Sequence, residues 1–343
     1  MVRLKDIARQ AGVSVMTVSK ALRDEPDVSA PTKARLRALA QQMGYVPDTS
    51  AQGLRSKVTK MFGLVIPSVT DPIFGRITFA IEERAHELGY NLILAHTLNQ
   101  SDREEQCIHR LLSRRVDGLF ISPVYRFAAE ARVYQEILAG KTPVVLLGQP
   151  APFCKMFPGV ETEELIASYN VTRHLLQLGH KRIAYLAGPQ VAPWAHDRFE
   201  GYRRALREAN LDVDDKMVFQ AGGTIDDGTN AALQLINENC DATAVQAVND
   251  LVAIGCATTL LKQGFKIPGD ISIAGFGNIL LADHFRVPLT TVRQPKHRLG
   301  VAAVEMMTQL LRGEKVQTRR IPGELLERDS TAAPKAGNQL TVP

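Results

Sequence analysis

The residues best suited to contact another molecule form one short series near the start of the chain. The ammonium of Lys20 can donate hydrogen bonds to O6 and N7 of guanine, whereas Val15 and Met16 suit the methyl group of thymine. The hydroxyls of Ser14 and Thr17 suit phosphate oxygens, which position a protein on DNA without reading its sequence. The series predicts a DNA-binding surface composed of Ser14, Val15, Met16, Thr17, Ser19 and Lys20.

Two short helices are needed to hold this surface, and the apolar pattern predicts both. Apolar residues recur at helical spacing on either side of Gly12; they are Leu4, Ile7, Ala8 and Ala11 before it, and Val15, Val18, Ala21 and Leu22 after it. Gly12 can adopt a positive φ past a helix end, and Ser14 is a natural N-cap. In a helix-turn-helix the first residues of the second helix face base edges. The alternative for Val15 and Met16 is a place in the small helical core.

A third helix is predicted between Ser29 as N-cap and Gly44 as the stop, with Pro31 in its first turn. Three such helices also occur as a unit packed on an enzyme. The distribution of charge along the chain distinguishes that alternative from a DNA-binding head. Residues 1–60 contain eleven Lys and Arg against five Asp and Glu, whereas the other 283 residues contain 30 and 31. The positive charge is therefore concentrated at the N-terminus, as expected for a part that neutralises phosphates.

Composition indicates an ordinary globular protein of two or three domains. The chain has 343 residues, of which 45% are hydrophobic and 22% charged. No apolar run approaches the roughly 18 residues that span a membrane, and no signal-peptide core is present, so a cytoplasmic location is expected. The spacing of the four Cys and eight His residues matches no metal motif, and we expect neither a metal nor a cofactor.

From residue 61 onward, strand and helix patterns alternate in two series. The first predicts strands at 61–66, 91–95, 118–121 and 144–147 with helices at 73–88, 104–114 and 128–138. The second predicts strands near 182–187, 245–248 and 271–274 with helices near 165–178, 198–209, 227–236 and 251–263. Repeated βαβ units imply doubly wound parallel sheets, and two series imply two lobes. A small-molecule site is expected in the cleft between them, at the carboxyl ends of the strands.

These motifs, taken in order, resemble the LacI/GalR family of bacterial transcription regulators. The matching segments are 6–22, 44–47, 116–119, 179–183, 197–202, 248–250, 271–276, 288–295 and 326–330. The resemblance implies an all-α helix-turn-helix head with a hinge helix, followed by an α/β core of two lobes like those of periplasmic binding proteins. The implied domains are the head 1–46, the hinge 47–60, an N-lobe of 61–160 plus 290–320, a C-lobe of 161–289 plus 321–330, and a mobile tail 331–343. Three chain crossings between the lobes are implied near 160–162, 289–292 and 321–323.

The resemblance also implies partners and a mode of action. The protein would act as a homodimer on palindromic operator DNA, and a small effector would change the lobe arrangement and thereby the spacing of the two heads. In the hinge, Leu54 would be the wedge that enters the minor groove, with Ala51 and Gln52 beside it. Asp48 replaces the Asn of many relatives, and Gly53 disfavours helix, so folding of the hinge would depend strongly on DNA. The alternative for Leu54 is packing on the core.

The family's ligand positions map onto eight residues of this chain: Ser68, Asp71, Phe74, Trp194, Arg198, Asn249, Asp250 and Gly277. Arg198 can offer paired donors to hydroxyls or to a carboxylate. Many relatives have Asp where this chain has Gly277, and the missing carboxylate favours a sugar acid over a neutral sugar. For Trp194 the alternative is ordinary packing, and for residues 194–198 it is a helix cap.

Two other functions compete with a carbohydrate-operon repressor. An NAD-dependent oxidoreductase would explain Gly275 and Gly277 after a strand, but Leu280 stands where the fingerprint needs a third glycine. A solute-binding protein for transport shares the two-lobed core, but a basic helix-turn-helix has no role in such a protein. We therefore expect a non-enzymatic regulator.

Overall fold

The computed structural model describes residues 2–46 and 58–335. The chain divides into two compact units, residues 1–59 and residues 60–343. No helix among the described residues has the length and apolarity required to cross a membrane. Within the same ranges no cluster of His, Cys, Asp and Glu could hold a metal ion.

The first unit contains the three predicted helices, α1 (Leu4–Ala11), α2 (Val15–Leu22) and α3 (Ala30–Gln42). Gly12 ends α1 with φ +70°, and the Ser14 hydroxyl accepts a hydrogen bond from the backbone N–H of Thr17 at the start of α2. Ile7, Val18 and Leu36 are fully buried and form the centre of the small core. The prediction of a helix-turn-helix followed by a third helix is confirmed.

The second unit contains a six-stranded parallel sheet, which defines the first lobe. Its strands are β1 (Met61–Ile66), β2 (Asn91–His96), β3 (Gly118–Ile121), β4 (Val144–Leu147), β5 (Gly159–Thr162) and β11 (Arg319–Ile321), in the order β11-β5-β4-β3-β1-β2. In this lobe lie α4 (Pro72–Glu87), α5 (Ser101–Ser113), α6 (Arg132–Gly140) and α12 (Lys296–Leu311). Strands β1, β3 and β4 consist of apolar residues and glycine and are almost fully buried, as expected for strands covered on both faces, whereas the edge strand β2 is partly exposed.

A four-stranded parallel sheet defines the second lobe. Its strands are β6 (Ile183–Ala187), β7 (Val218–Gln220), β8 (Ala244–Ala247) and β9 (Ser272–Ala274), in the order β7-β6-β8-β9. Its helices are α7 (Glu164–Gln177), α8 (Pro193–Glu208), α9 (Ile225–Asn237), α10 (Asp250–Lys262) and the short α11 (Leu280–His284). A separate antiparallel pair joins β10 (Thr291–Arg293) to β12 (Glu324–Leu326). The expectation of an α/β core with parallel sheets is confirmed.

Several elements differ from the predictions. Helix α8 begins at Pro193, five residues before the predicted start, because Pro is well suited to the first turn of a helix. Helix α12 was not predicted, although Leu299, Ala303 and Met307 recur at helical spacing and are buried. The strands β7 and β11 have only three residues each, too few to show an alternating pattern.

The prediction of a mobile tail at 331–343 is wrong for its first two residues, Thr331 and Ala332. The Thr331 hydroxyl pairs with Nε2 of His174 at 3.0 Å, and the Ala332 carbonyl accepts from Nε2 of His180 at 2.8 Å. Ser330 is fully buried and its hydroxyl donates to the carbonyl of Ile273. Residues 330–332 are therefore held against the second lobe, beside β9.

Candidate functional site

The start of helix α2 presents an apolar surface to solvent. Val15 is 46% exposed and Met16 is 56% exposed, whereas Val18 and Ala21 on the opposite side are fully buried. Val15 and Met16 are therefore not core residues, and the alternative of a place in the helical core is wrong. Two exposed apolar side chains on the first turn suit contact with base edges.

The polar residues of this surface have partners within the head. The hydroxyls of Ser14 and Thr17 lie 2.9 Å apart, and the Ser19 hydroxyl accepts from Nη1 of Arg23 at 2.8 Å. The Lys20 ammonium pairs with the Asp27 carboxylate, and both side chains are more than one third exposed. An exposed ion pair is only weakly stabilising, so a phosphate or a base can replace Asp27 at little cost.

The predicted hinge residues Asp48, Ala51, Gln52, Gly53 and Leu54 lie outside the described residues.

In the first lobe, Asp71 caps helix α4 next to the cleft. Its Oδ1 accepts from the backbone N–H groups of Ile73 at 2.8 Å and Phe74 at 3.4 Å, while burial raises the pKa of the carboxyl. The Ser68 hydroxyl lies 2.7 Å from that of Thr70. Ile73 packs against the cores of both lobes, so this turn is the part of the first lobe that meets the second.

Arg198 is the centre of the site in the second lobe. The guanidinium is buried and donates from Nε to Oε2 of Glu164 at 2.7 Å and from Nη1 to the carbonyl of Val248 at 2.7 Å. It lies between the rings of Phe276, at 3.7 Å from the centroid, and Trp194, at 4.7 Å. Burial raises the pKa of Glu164, and the positive charge of Arg198 opposes that rise. The positive charge of Arg198 is thus already neutralised by Glu164 within the second lobe.

Asn249 and Asp250 form the start of helix α10. Asn249 caps the helix by accepting from the Val252 N–H at 2.8 Å. Asp250 is almost fully buried, and its oxygens accept from the Thr291 hydroxyl at 2.6 Å and from the Ile279 N–H at 2.9 Å. Burial raises the pKa of Asp250, and these hydrogen bonds lower it.

Gly277 lies where the two lobes meet. It has φ +136°, and a Cβ placed there would lie 3.3 Å from Oδ2 of Asp250 and 3.3 Å from Cδ1 of Ile73. An Asp side chain at this position would bring a second carboxylate to Asp250, which is unfavourable in a buried site. Gly277 has no side chain here, and a larger residue would require its neighbours to shift.

The structure thus brings most of the predicted effector residues together. Arg198 contacts Trp194 and the strand end that precedes Asn249 and Asp250, while Ile73 links the Asp71 turn to Gly277. Ser68 has no contact with this group among the contacts seen in the described residues. A cavity of about 180 Å³ lies beside α8, lined by Gly188, Pro189, His196, Phe199 and Gln220 among others, and Arg198 does not line it.

Comparison with known proteins decides the family. Residues 3–48 match the model of "Bacterial regulatory proteins, lacI family", and residues 172–331 match that of a periplasmic binding protein-like domain. The transcriptional regulator DegA of Bacillus subtilis is 31% identical over 329 residues, which cover 95% of this chain and 97% of DegA. The repressor CytR of Escherichia coli K12 is 31% identical over 332 residues, 96% of each chain. The chain belongs to the lacI family of bacterial regulatory proteins.

Solved structures agree with this assignment. The Lac repressor dimer bound to operator and the anti-inducer ONPF has a TM-score of 0.86 and 26% identity, with 97% of this chain and 99% of that chain covered. The complex of the regulator CelR with cellobiose has a TM-score of 0.74 and 25% identity, with 96% and 100% covered. This lacI-family protein is a DNA-binding transcriptional regulator with a two-lobed core.

The family assignment removes the basis for the two competing functions. In this lacI-family regulator, Gly275 and Gly277 follow β9, at one edge of the second sheet, and not the first strand of a dinucleotide-binding unit. Its relatives DegA and CytR are named HTH-type transcriptional regulators, and in this chain the lacI-family head precedes the core. A solute-binding role for transport would leave that head unexplained.

Two residues of the cleft that were not predicted, Tyr125 and Gln149, follow strands of the first lobe. Tyr125 packs against both lobe cores and donates its hydroxyl to the Gln149 carbonyl at 2.8 Å. The Gln149 side chain in turn donates to Asp197 of α8, which links the lobes directly. Gln149 follows the predicted strand 144–147 by two residues, so its place at a carboxyl end was the available signal. Glu164 gave no such signal, because it lies 34 residues from Arg198 in sequence.

Proposed function

We propose that this regulator represses a carbohydrate-utilisation operon by binding a palindromic operator as a homodimer. The observation that carries the proposal is the exposed start of α2, where Val15, Met16 and Lys20 are available to base edges. Two heads would read two half-sites about one helical turn apart, so dimer symmetry would be matched by the operator. Ser14 and Thr17 would contact phosphates, and Ser19 would lie beside the bases.

A small effector in the cleft between the lobes is proposed to control this binding. The hydrogen bond between Gln149 of the first lobe and Asp197 of the second supports this proposal, as does the contact of Ile73 with the cores of both lobes. An effector held by both lobes would change their arrangement and hence the equilibrium between DNA-binding and released states. Trp194 would offer a ring face to a sugar, since one aromatic face commonly packs against a pyranose.

For the effector class we propose a sugar acid in preference to a neutral sugar. The space at Gly277 lacks the acceptor carboxylate that many relatives provide, and Asp250 already uses both oxygens within the protein. Because Arg198 is paired with Glu164, its charge is not the support for this proposal; the support is that Gly277 has no side chain and that the Asp250 carboxylate beside it is already hydrogen-bonded within the protein.

The experiment has two arms. Purified protein is titrated by fluorescence anisotropy against promoter fragments from its own genome and against scrambled DNA, and then screened for thermal shifts with sugars and sugar acids. We expect a palindromic fragment to bind at least 1,000-fold more tightly than scrambled DNA, the lower end of the usual specificity range. Equal affinity for all fragments would refute operator recognition, whereas stabilisation by neutral sugars alone would refute the effector class.

A separate prediction concerns the hinge residue Leu54. Replacing Leu54 with Ala is expected to weaken operator binding roughly tenfold or more, because an apolar wedge opens the minor groove and permits additional contacts. Leu54→Met keeps an apolar side chain of similar size and serves as the matched control. Unchanged operator affinity of Leu54→Ala in a gel-shift titration, with the thermal unfolding of the core also unchanged, would mean that Leu54 is not the wedge.

A further inference from the structure

Lys296 connects the two lobes next to Gly277. It is the first residue of α12 in the first lobe, and its half-buried side chain extends to the loop after β9 in the second lobe. There the ammonium donates to the carbonyls of Gly277 and of Asn278, the latter at 2.9 Å. These two bonds use two of the three N–H donors of the ammonium, so one remains available.

The charge of Lys296 has no carboxylate partner at ion-pair distance among residues 2–46 and 58–335. Asp250 is the acid that acts on it electrostatically, but Asp250 uses its oxygens on Thr291 and on the Ile279 N–H. The positive charges of Arg76 and Arg293 also act on Lys296 and lower its pKa. Burial lowers the pKa of Lys296 to about 8, as expected for an ammonium with incomplete charge compensation.

The neighbouring position 277 has no side chain, and the atoms around it lie close to its backbone. The nearest atoms to a Cβ at this position are Oδ2 of Asp250 and Cδ1 of Ile73, both at 3.3 Å. An aliphatic carbon and an occupied carboxylate offer no donor to an anion, whereas the Lys296 ammonium beside them keeps one N–H available, with the charges of Arg76 and Arg293 acting at the same group. A half-buried ammonium without a carboxylate partner forms a strong charge-assisted hydrogen bond with an anionic ligand, because water is partly excluded there.

We propose that Lys296 is a specificity-determining residue that receives the carboxylate of the effector through its third N–H and so selects sugar acids over neutral sugars. The inference rests on the proposed effector class. It adds that the carboxylate binds where the lobes meet, so that an acid would strengthen the contact that Lys296 already makes between them.

The test is isothermal titration of the full chain with pairs of acid and neutral sugar: D-gluconate with D-glucose, D-galactonate with D-galactose, and D-glucuronate and D-galacturonate with the same two sugars. Wild-type protein and Lys296→Met are compared, with Lys296→Arg as the variant that keeps the cation. For the acid that binds best, we expect Lys296→Met to lose at least tenfold in affinity, Lys296→Arg to lose less, and any binding of the neutral partner to stay within twofold.

A second pair of variants tests the same space without removing the lysine. Gly277→Asp places a carboxylate beside Lys296 and is expected to lower acid affinity more than Gly277→Ala, which carries the same backbone strain at positive φ. If Lys296→Met weakens acid and neutral sugars equally, the residue only holds the lobes together and the inference is overturned. If wild-type protein binds an acid and Lys296→Met binds it as tightly, the inference alone fails. If wild-type protein binds only neutral sugars, the proposed effector class fails together with it.

Discussion

Replacing Arg198 with Met is expected to lower the free energy of unfolding of the core by about 3–5 kcal/mol, the usual cost of leaving one member of a buried ion pair uncompensated. Glu164 would remain buried without its cationic partner, and the Val248 carbonyl would lose its donor. The change is measured by urea denaturation followed by far-ultraviolet circular dichroism, since the single tryptophan, Trp194, contacts the mutated side chain.

Two controls separate loss of charge pairing from loss of packing. Glu164→Gln combined with Arg198→Met removes both charges and should recover part of the lost stability, because no unpaired charge remains. The pH dependence gives an independent check. Burial already raises the pKa of Glu164, and loss of Arg198 would raise it further, so the neutral carboxyl is favoured in the folded variant. The deficit of Arg198→Met should therefore shrink as the pH falls through this raised pKa towards the ordinary glutamate range. A deficit below about 1 kcal/mol, or one that does not change with pH, would contradict this account.

Arg198 also illustrates what sequence can and cannot predict about a site. The stretch from Trp194 to Arg198 was identifiable because polar and aromatic residues there are unusual, but its helical conformation was not predicted. The partner Glu164 lies on α7, and only the packing of α7 against α8 brings the two side chains together. A charge that is neutralised by a distant residue appears free when only its neighbours in sequence are considered.

The fold was more predictable than the site. Strands such as Met61–Ile66 and Val144–Leu147 are apolar throughout and fully or nearly buried, so their bounds follow from composition alone. By contrast, the antiparallel pair of β10 and β12 has three residues in each strand and depends on contacts between segments more than 30 residues apart. The tail was misjudged for a related reason, since Thr331 and Ala332 are held by His174 and His180, which lie more than 150 residues away in sequence.

In the head, sequence identified the surface but not its internal contacts. Exposure of Val15 and Met16 follows from their place in the first turn of α2, where Ile7 and Val18 fill the core. The pairing of Lys20 with Asp27 depends on the loop between α2 and α3, whose conformation the helical periodicity does not define. The consequence is that Lys20 has a competing anion within the same domain.

Replacing Lys20 with Ala is expected to lower operator affinity by about 5- to 150-fold, the range for losing a specific base contact. Asp27→Asn is expected to act in the opposite direction and to raise affinity a few-fold, because it removes the anion that competes with DNA for the Lys20 ammonium. Both affinities are measured by fluorescence anisotropy on the operator fragment at two salt concentrations, because phosphate contacts depend strongly on salt.

The gain from Asp27→Asn depends on Lys20, which a double-mutant cycle can measure. In the Lys20→Ala background, Asp27→Asn should raise affinity much less than it does in the wild-type background. Asp24→Asn is the matched control, since it removes the same charge from the same loop but frees Lys33 and Arg37 instead. If Asp27→Asn raises affinity equally with and without Lys20, and Asp24→Asn has the same effect, only the net charge of the head matters. If the gain requires Lys20, Asp27 sets the strength of DNA binding through one side chain, and substitution at position 27 can adjust operator affinity without changing any residue that faces the bases.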